Sequence, residues 1–138
     1  MLRVVVVKEK KMYLTQSEME IMHAFWQEDR SMSLNDLILA SPDRCWKDRS
    51  GFSIINSLIT KGLLKEDGYV HSGKTIARTF SPVISYTDFM IGQLNSFEGK
   101  IEVPQLVSHL LGEGDVDARD IKELDRMISD KKKELKDK

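Results

Sequence analysis

Between Trp46 and Leu64 the chain reads WKDRSGFSIINSLITKGLL, and the side chains able to do chemistry gather at its start. Lys47 and Arg49 are long cations suited to phosphate oxygens or to the acceptor edge of guanine, while Ser50 and Ser53 are short groups that donate or accept. Asn56 lies one helical turn further on. A second pair of cations, Lys74 and Arg78, follows after a break in the pattern. Together these residues hydrogen-bond and neutralise. They do not supply a nucleophile with its base, a glycine-rich phosphate loop, a metal-ligand cluster or a pair of catalytic carboxylates at recognisable spacing, so the sequence does not read as an enzyme.

The elements that must position these groups are a helix and a hairpin in direct succession. Apolar residues at 54, 55, 58 and 59 follow helical spacing, and Lys61-Gly62 closes the helix with a residue that tolerates a left-handed cap. Leu63, Leu64, Tyr69 and Val70, a Ser72-Gly73-Lys74 turn, then Thr75, Ile76 and Phe80 before Ser81-Pro82 read as two short strands and a stop. Upstream, Thr15-x-x-Glu18 is a capping box, Leu14 and Met19 sit where a hydrophobic staple would, and Ile21, Met22, Phe25 and Trp26 form an apolar face directed at a core. Ser33 with Asp36 opens a second helix bearing Leu34, Leu37 and Ile38, which Ser41-Pro42 ends. The order helix, helix, helix, hairpin is that of a winged helix-turn-helix, with Lys47 to Ser53 at the start of the recognition helix and Lys74 and Arg78 on the wing.

The net charge of -1 conceals an uneven distribution. Residues 41–80 carry seven basic against four acidic groups and residues 1–13 four against one, whereas 14–40 carry one against five. Positive charge therefore concentrates on the N-terminal arm and on the helix-and-hairpin segment. At 138 residues the chain is long enough to bury about two-thirds of its unfolded surface. Its single cysteine, Cys45, excludes an internal disulfide framework and agrees with a reducing, cytoplasmic setting. Val4 to Val7 is too short to span a bilayer or to serve as a signal peptide, and is expected to be an added strand or a loose lead. His23, His71 and His109 lack metal-site spacing, and no cofactor is expected.

Past the hairpin, Ser85 with Asp88 opens a helix bearing Phe89, Met90, Ile91 and Leu94. Pro104 suits a first helical turn and Gly112-x-Gly114 a stop, and a last helix starts at Asp117. On that helix Ile121, Leu124, Ile128 and Leu135 form one stripe, with Met127 beside it, against a face dense in Lys, Glu and Asp. An amphipathic helix beyond a completed core finds its apolar partner in a second subunit, so a homodimer is expected.

Four pieces of the chain, LTQSEMEIMHAFW, the Trp46–Leu64 segment, Phe80-Ser-Pro and LGEGDVDARDIKELDRMISDKKKE, stand in the order and spacing of one family. Across roughly Leu14 to Glu134 the chain resembles the penicillinase-repressor (BlaI/MecI/CopY) family of winged-helix regulators. The resemblance implies double-stranded DNA as ligand, an inverted-repeat operator bound by a homodimer, repression by promoter occlusion, and release after a membrane sensor protease signals. The region around Leu106–Leu111 does not clearly reproduce the family's cleavage sequence, and the paired Cys-x-Cys of copper-responsive members is absent. The pattern departs at four further positions: Ser50 and Ser53 stand for Thr, Gly51 for a β-branched residue at a cost of about 1 kcal/mol within a helix, and Ser57 for a customary arginine.

The sequence thus indicates a mainly α protein with a small β-hairpin wing (α+β). Residues 1–13 form an arm or added strand, 14–83 a winged-helix DNA-binding domain and 84–138 a helical dimerisation region. The competing expectation is a winged-helix protein-interaction module whose altered recognition helix has lost its DNA contacts.

Overall fold

The computed structural model describes residues 13–96 and 99–137. The expected N-terminal arm, with its Val4–Val7 segment, lies outside the described residues. The chain divides into two compact units, one ending at Glu98 and the other beginning at Gly99.

The first unit opens with α1 (Gln16–Glu28), whose capping box is closed in both directions: Thr15 N donates to Glu18 Oε1 at 2.9 Å and Glu18 N to Thr15 Oγ1 at 3.1 Å. A two-residue strand β1 (Met32–Ser33) leads into α2 (Leu34–Ala40), where Ser33 and Asp36 form a second such box. Next come a short 3₁₀ turn (Asp48–Ser50) and α3 (Gly51–Thr60), then β2 (Leu64–Ser72), β3 (Thr75–Pro82) and α4 (Tyr86–Ser96). The sheet order is β1-β3-β2, all antiparallel, with Met32 opposite Phe80 and the hairpin running from Leu64↔Pro82 to Ser72↔Thr75. This is the winged-helix α+β arrangement expected from the sequence.

One core organises it. Ile21, Met22 and Phe25 of α1, Leu37 of α2, Ile55 and Leu58 of α3, Leu63, Leu64 and Phe80 of the hairpin, and Trp46 of the connecting loop pack together with Met32 and Phe89. The α3 helix ends as Lys61-Gly62 predicts. Gly62 adopts φ +81, its N–H reaches Ile59 O, and Leu63 N reaches Leu58 O, so the left-handed cap folds Leu63 back onto Leu58 in the core. The turn at Gly73 also uses a positive φ, +65.

Two features were not foreseen. β1 is too short to carry periodicity, and it exists because β3 offers it a pairing edge. Near the base of the hairpin a bulge separates Glu66 from Gly68; there Asp67 accepts from Ser31 and, at 2.7 Å, from Thr79 Oγ1, tying the wing to the α1–β1 connection. Burial alone would raise the Asp67 carboxyl, but hydrogen bonds from Ser31, Thr79 and Ser81 and the charge of Lys65 hold it below its usual range.

The compact unit also runs further than Val83, where the sequence alone ends the winged-helix segment. Phe89 of α4 is buried, its ring 5.4 Å from that of Trp26, and Trp26 Nε1 donates to Ile84 O at 2.9 Å. α4 is thus fastened to α1.

The second unit contains α5 (Val103–Glu113), with Pro104 in its first turn, and α6 (Ala118–Lys136), opened by a reciprocal Asp117–Asp120 box. None of its described residues is buried. Ile121, Met127, Ile128 and Leu135 lie open along α6 and Leu124 is half-buried.

Candidate nucleic-acid interface

The α3 helix turns two unlike edges in opposite directions. Gly51, Ile55 and Leu58 are buried, while Phe52, Ser53, Asn56 and Thr60 face solvent. The spacing of the buried residues fixes this orientation, because one apolar stripe on a ten-residue helix leaves the opposite edge outside.

The cations expected at the helix start precede the helix proper. Lys47 sits in extended backbone (φ -89, ψ 149) and Arg49 in the 3₁₀ turn, both exposed. The recognition helix, expected to start with Lys47 to Ser53, begins at Gly51, and the two cations are carried on the segment that leads into it. Ser50 is half-buried, and its carbonyl accepts from Ser53 Oγ at 3.0 Å. Asn56 stands exposed one turn along. Trp46 is buried in the core beneath the Arg44 guanidinium, 5.3 Å from its ring centre, as an anchor for this loop. Cys45 is exposed, with its backbone N–H on Glu20 Oε1 at 3.0 Å.

Two of the departures from the family pattern acquire a physical reason. Gly51 is the first residue of α3, not an interior one, so the expected interior-helix cost does not apply; a Cβ there would come within 2.5 Å of Leu34 Cδ1. The missing side chain leaves the space that the Leu34 side chain occupies. Ser57, which stands where the family pattern has an arginine, points inward and donates to Glu18 Oε2 at 2.7 Å. Lys61 Nζ reaches both oxygens of the same carboxylate, at 2.8 and 2.9 Å. Burial by itself would raise the Glu18 carboxyl; hydrogen bonds from Lys61, the Thr15 backbone and Ser57, with the Lys61 charge, hold it below its ordinary value. The arrangement is a buried polar clamp fixing α3 to the start of α1.

The wing places its two expected cations differently. Lys74 is exposed at the hairpin turn. Arg78 is engaged within the fold: Nη1 pairs with Glu66 Oε1 at 2.9 Å, and the guanidinium lies 5.3 Å from the ring centres of both Phe52 and Phe80. It bridges β3 to the recognition helix. The sequence reading missed Phe52 and Glu66 as members of this surface; Phe52 stands three residues before Ile55, a spacing that reads as the same apolar stripe. Tyr69, Val70 and Ile76 are the exposed large apolar groups on the hairpin. Ile121, Leu124, Ile128 and Leu135, the residues expected from the sequence to face a second subunit, all belong to the second unit.

Among the described residues no helix is long and apolar enough to cross a membrane. No curated protein matches the chain. Among solved structures, the adhesin competence repressor of Streptococcus pyogenes is similar at 14% identity, with 92% of this chain and 84% of that one covered and a TM-score of 0.41. The penicillinase repressor family matches residues 14–130, across all three capping boxes, the recognition helix, the wing and most of α6. The chain belongs to the penicillinase repressor family of winged-helix transcriptional repressors.

Proposed function

We propose that the protein represses transcription as a homodimer that binds an inverted-repeat DNA site, each subunit entering one major groove with the start of α3 and touching the adjacent backbone with its wing. The observation that carries the reading is the outward edge of α3, where Ser53 and Asn56 follow directly on the exposed cations Lys47 and Arg49. Side chains at the start of such a helix are the ones that reach base edges, and flanking cations set its register on phosphates. Lys74 at the hairpin turn supplies a third exposed cation.

Dimerisation rests on the second unit. Its described residues form no buried core, yet α5 exposes Val107, Leu110 and Leu111, and α6 exposes Ile121, Met127, Ile128 and Leu135. Two amphipathic helices that cannot bury an apolar face alone do so against a second copy. Two copies double three cations per subunit into six, which makes a chain of nearly zero net charge adequate for DNA. The cytoplasm is the corresponding location. Relief of repression through a sensor protease would act on the link between the two units or on α5, around Leu106–Leu111.

A protein-interaction role is the second reading, favoured by the exposed Phe52, Tyr69 and Ile76. Hydroxyl-radical footprinting on DNA from upstream of the gene distinguishes the two. Two protected half-sites one helical turn apart support the repressor, and an unprotected ladder at saturating protein overturns it.

A further inference from the structure

Phe52 is the second residue of α3 and leaves 47% of its surface open, although the same helix buries Ile55 and Leu58 completely. Its neighbours on the outward edge, Ser53 and Asn56, are short and polar, so its ring is the bulkiest group offered by the first turn. That ring is also held. The Arg78 guanidinium lies 5.3 Å from its centre, and Arg78 is itself fixed by Glu66 at 2.9 Å and by the buried Phe80 ring at 5.3 Å. A cation against an aromatic face stabilises the contact, and here it supports the ring from the hairpin side.

We infer that Phe52 is a specificity-determining residue that reads the C5-methyl group of thymine in the major groove, with the Glu66–Arg78 pair as its positioning support. The inference rests on the DNA-binding reading above and deepens it. The major-groove edge of thymine carries an apolar methyl, and a supported phenyl ring at the start of the recognition helix is a group that can cover it. Lys47 and Arg49, on the turn just before the ring, bring the helix to the backbone but do not themselves distinguish thymine from cytosine. Pairing with Glu66 removes Arg78 from the set of phosphate-binding cations and makes its role one of placement.

The test uses the full-length protein and a duplex that it enriches itself from a random library. Each thymine is replaced singly by deoxyuridine, which removes only the methyl group, and affinities are compared for wild type, Phe52→Ala and Phe52→Leu. For wild type, deoxyuridine at the contacted position of one half-site should weaken binding about fourfold, the factor for burying a single methyl, and at that position in both half-sites about fifteenfold. Phe52→Ala should lose this sensitivity at that position alone, while Phe52→Leu, still apolar at the same place, should retain part of it. Thermal melting of both variants within a few degrees of wild type shows that the fold is kept. Equal sensitivity in wild type and Phe52→Ala, or none in wild type, overturns the inference while leaving DNA binding standing. Failure of the wild-type protein to enrich any sequence overturns the DNA-binding reading, and this inference with it.

Discussion

Replacing Lys61 by Met tests the clamp that orients the recognition helix. Glu18 is 3% exposed and Lys61 donates to both its oxygens, so the substitution leaves a buried carboxylate with Thr15 N and Ser57 Oγ as its remaining partners. Breaking a fully buried ion pair from one side costs about 3–5 kcal/mol. The Lys61 side chain is 31% exposed and Glu18 keeps two hydrogen bonds, which reduces the expected loss to about 2 kcal/mol. For a unit of under about 100 residues that is a fall in Tm of about 8–16 °C. Tryptophan fluorescence reports it cleanly, because Trp26 and Trp46 both belong to the first unit. The pH dependence has a definite sign. In wild type the folded carboxyl lies below its ordinary value of 4.5, so the contribution of the pair is complete above 4.5 and is lost as pH falls through the folded value. In the variant the hydrogen bond and charge of Lys61 no longer hold the carboxyl down, so it lies above its wild-type folded value and the difference between the two proteins grows with rising pH. The gap between the two melting curves should be widest near neutral pH and close on acidification. Equal Tm at neutral pH, or a gap that persists in acid, would refute the reasoning.

Three further outcomes follow from the same geometry. Alanine at Lys47, Arg49 or Lys74 should each weaken operator binding and flatten the log–log salt dependence by about 1.8 per substituted dimer, with dimer mass unchanged in sedimentation; unchanged binding in all three would remove the proposed DNA face. Replacing Leu124 and Ile128 together by Asp should give monomers by light scattering with poor operator affinity, since two carboxylates would enter the expected helical interface. Glu66→Gln should release Arg78, steepening the salt slope and strengthening binding to shuffled duplex, and a slope identical to wild type would show that Arg78 is no latent phosphate contact.

What was legible in the sequence was local. The Thr15–Glu18 box, the Ser33–Asp36 start, the Lys61-Gly62 stop and the Gly73 turn each follow from residues within a few positions of one another, and all four stand where the sequence places them. The errors were non-local. Gly51 looked like a weak point until Leu34, seventeen positions earlier, was found against it. Ser57 looked like a missing cation until Glu18 was found as its partner, with Lys61 supplying the charge one turn further on. Arg78 looked like a free wing cation, and its engagement with Glu66 and Phe52 depends on hairpin register and on the approach of α3, neither of which any short window contains.

Fluorescence anisotropy of the purified protein on duplex from its own upstream region, with shuffled duplex as competitor and a salt series, tests the central claim most directly. Six exposed cations per dimer predict competitor-resistant binding, two subunits per duplex, and a log–log salt slope of about -5. Binding no tighter than to shuffled duplex, or a slope near zero, would contradict the account.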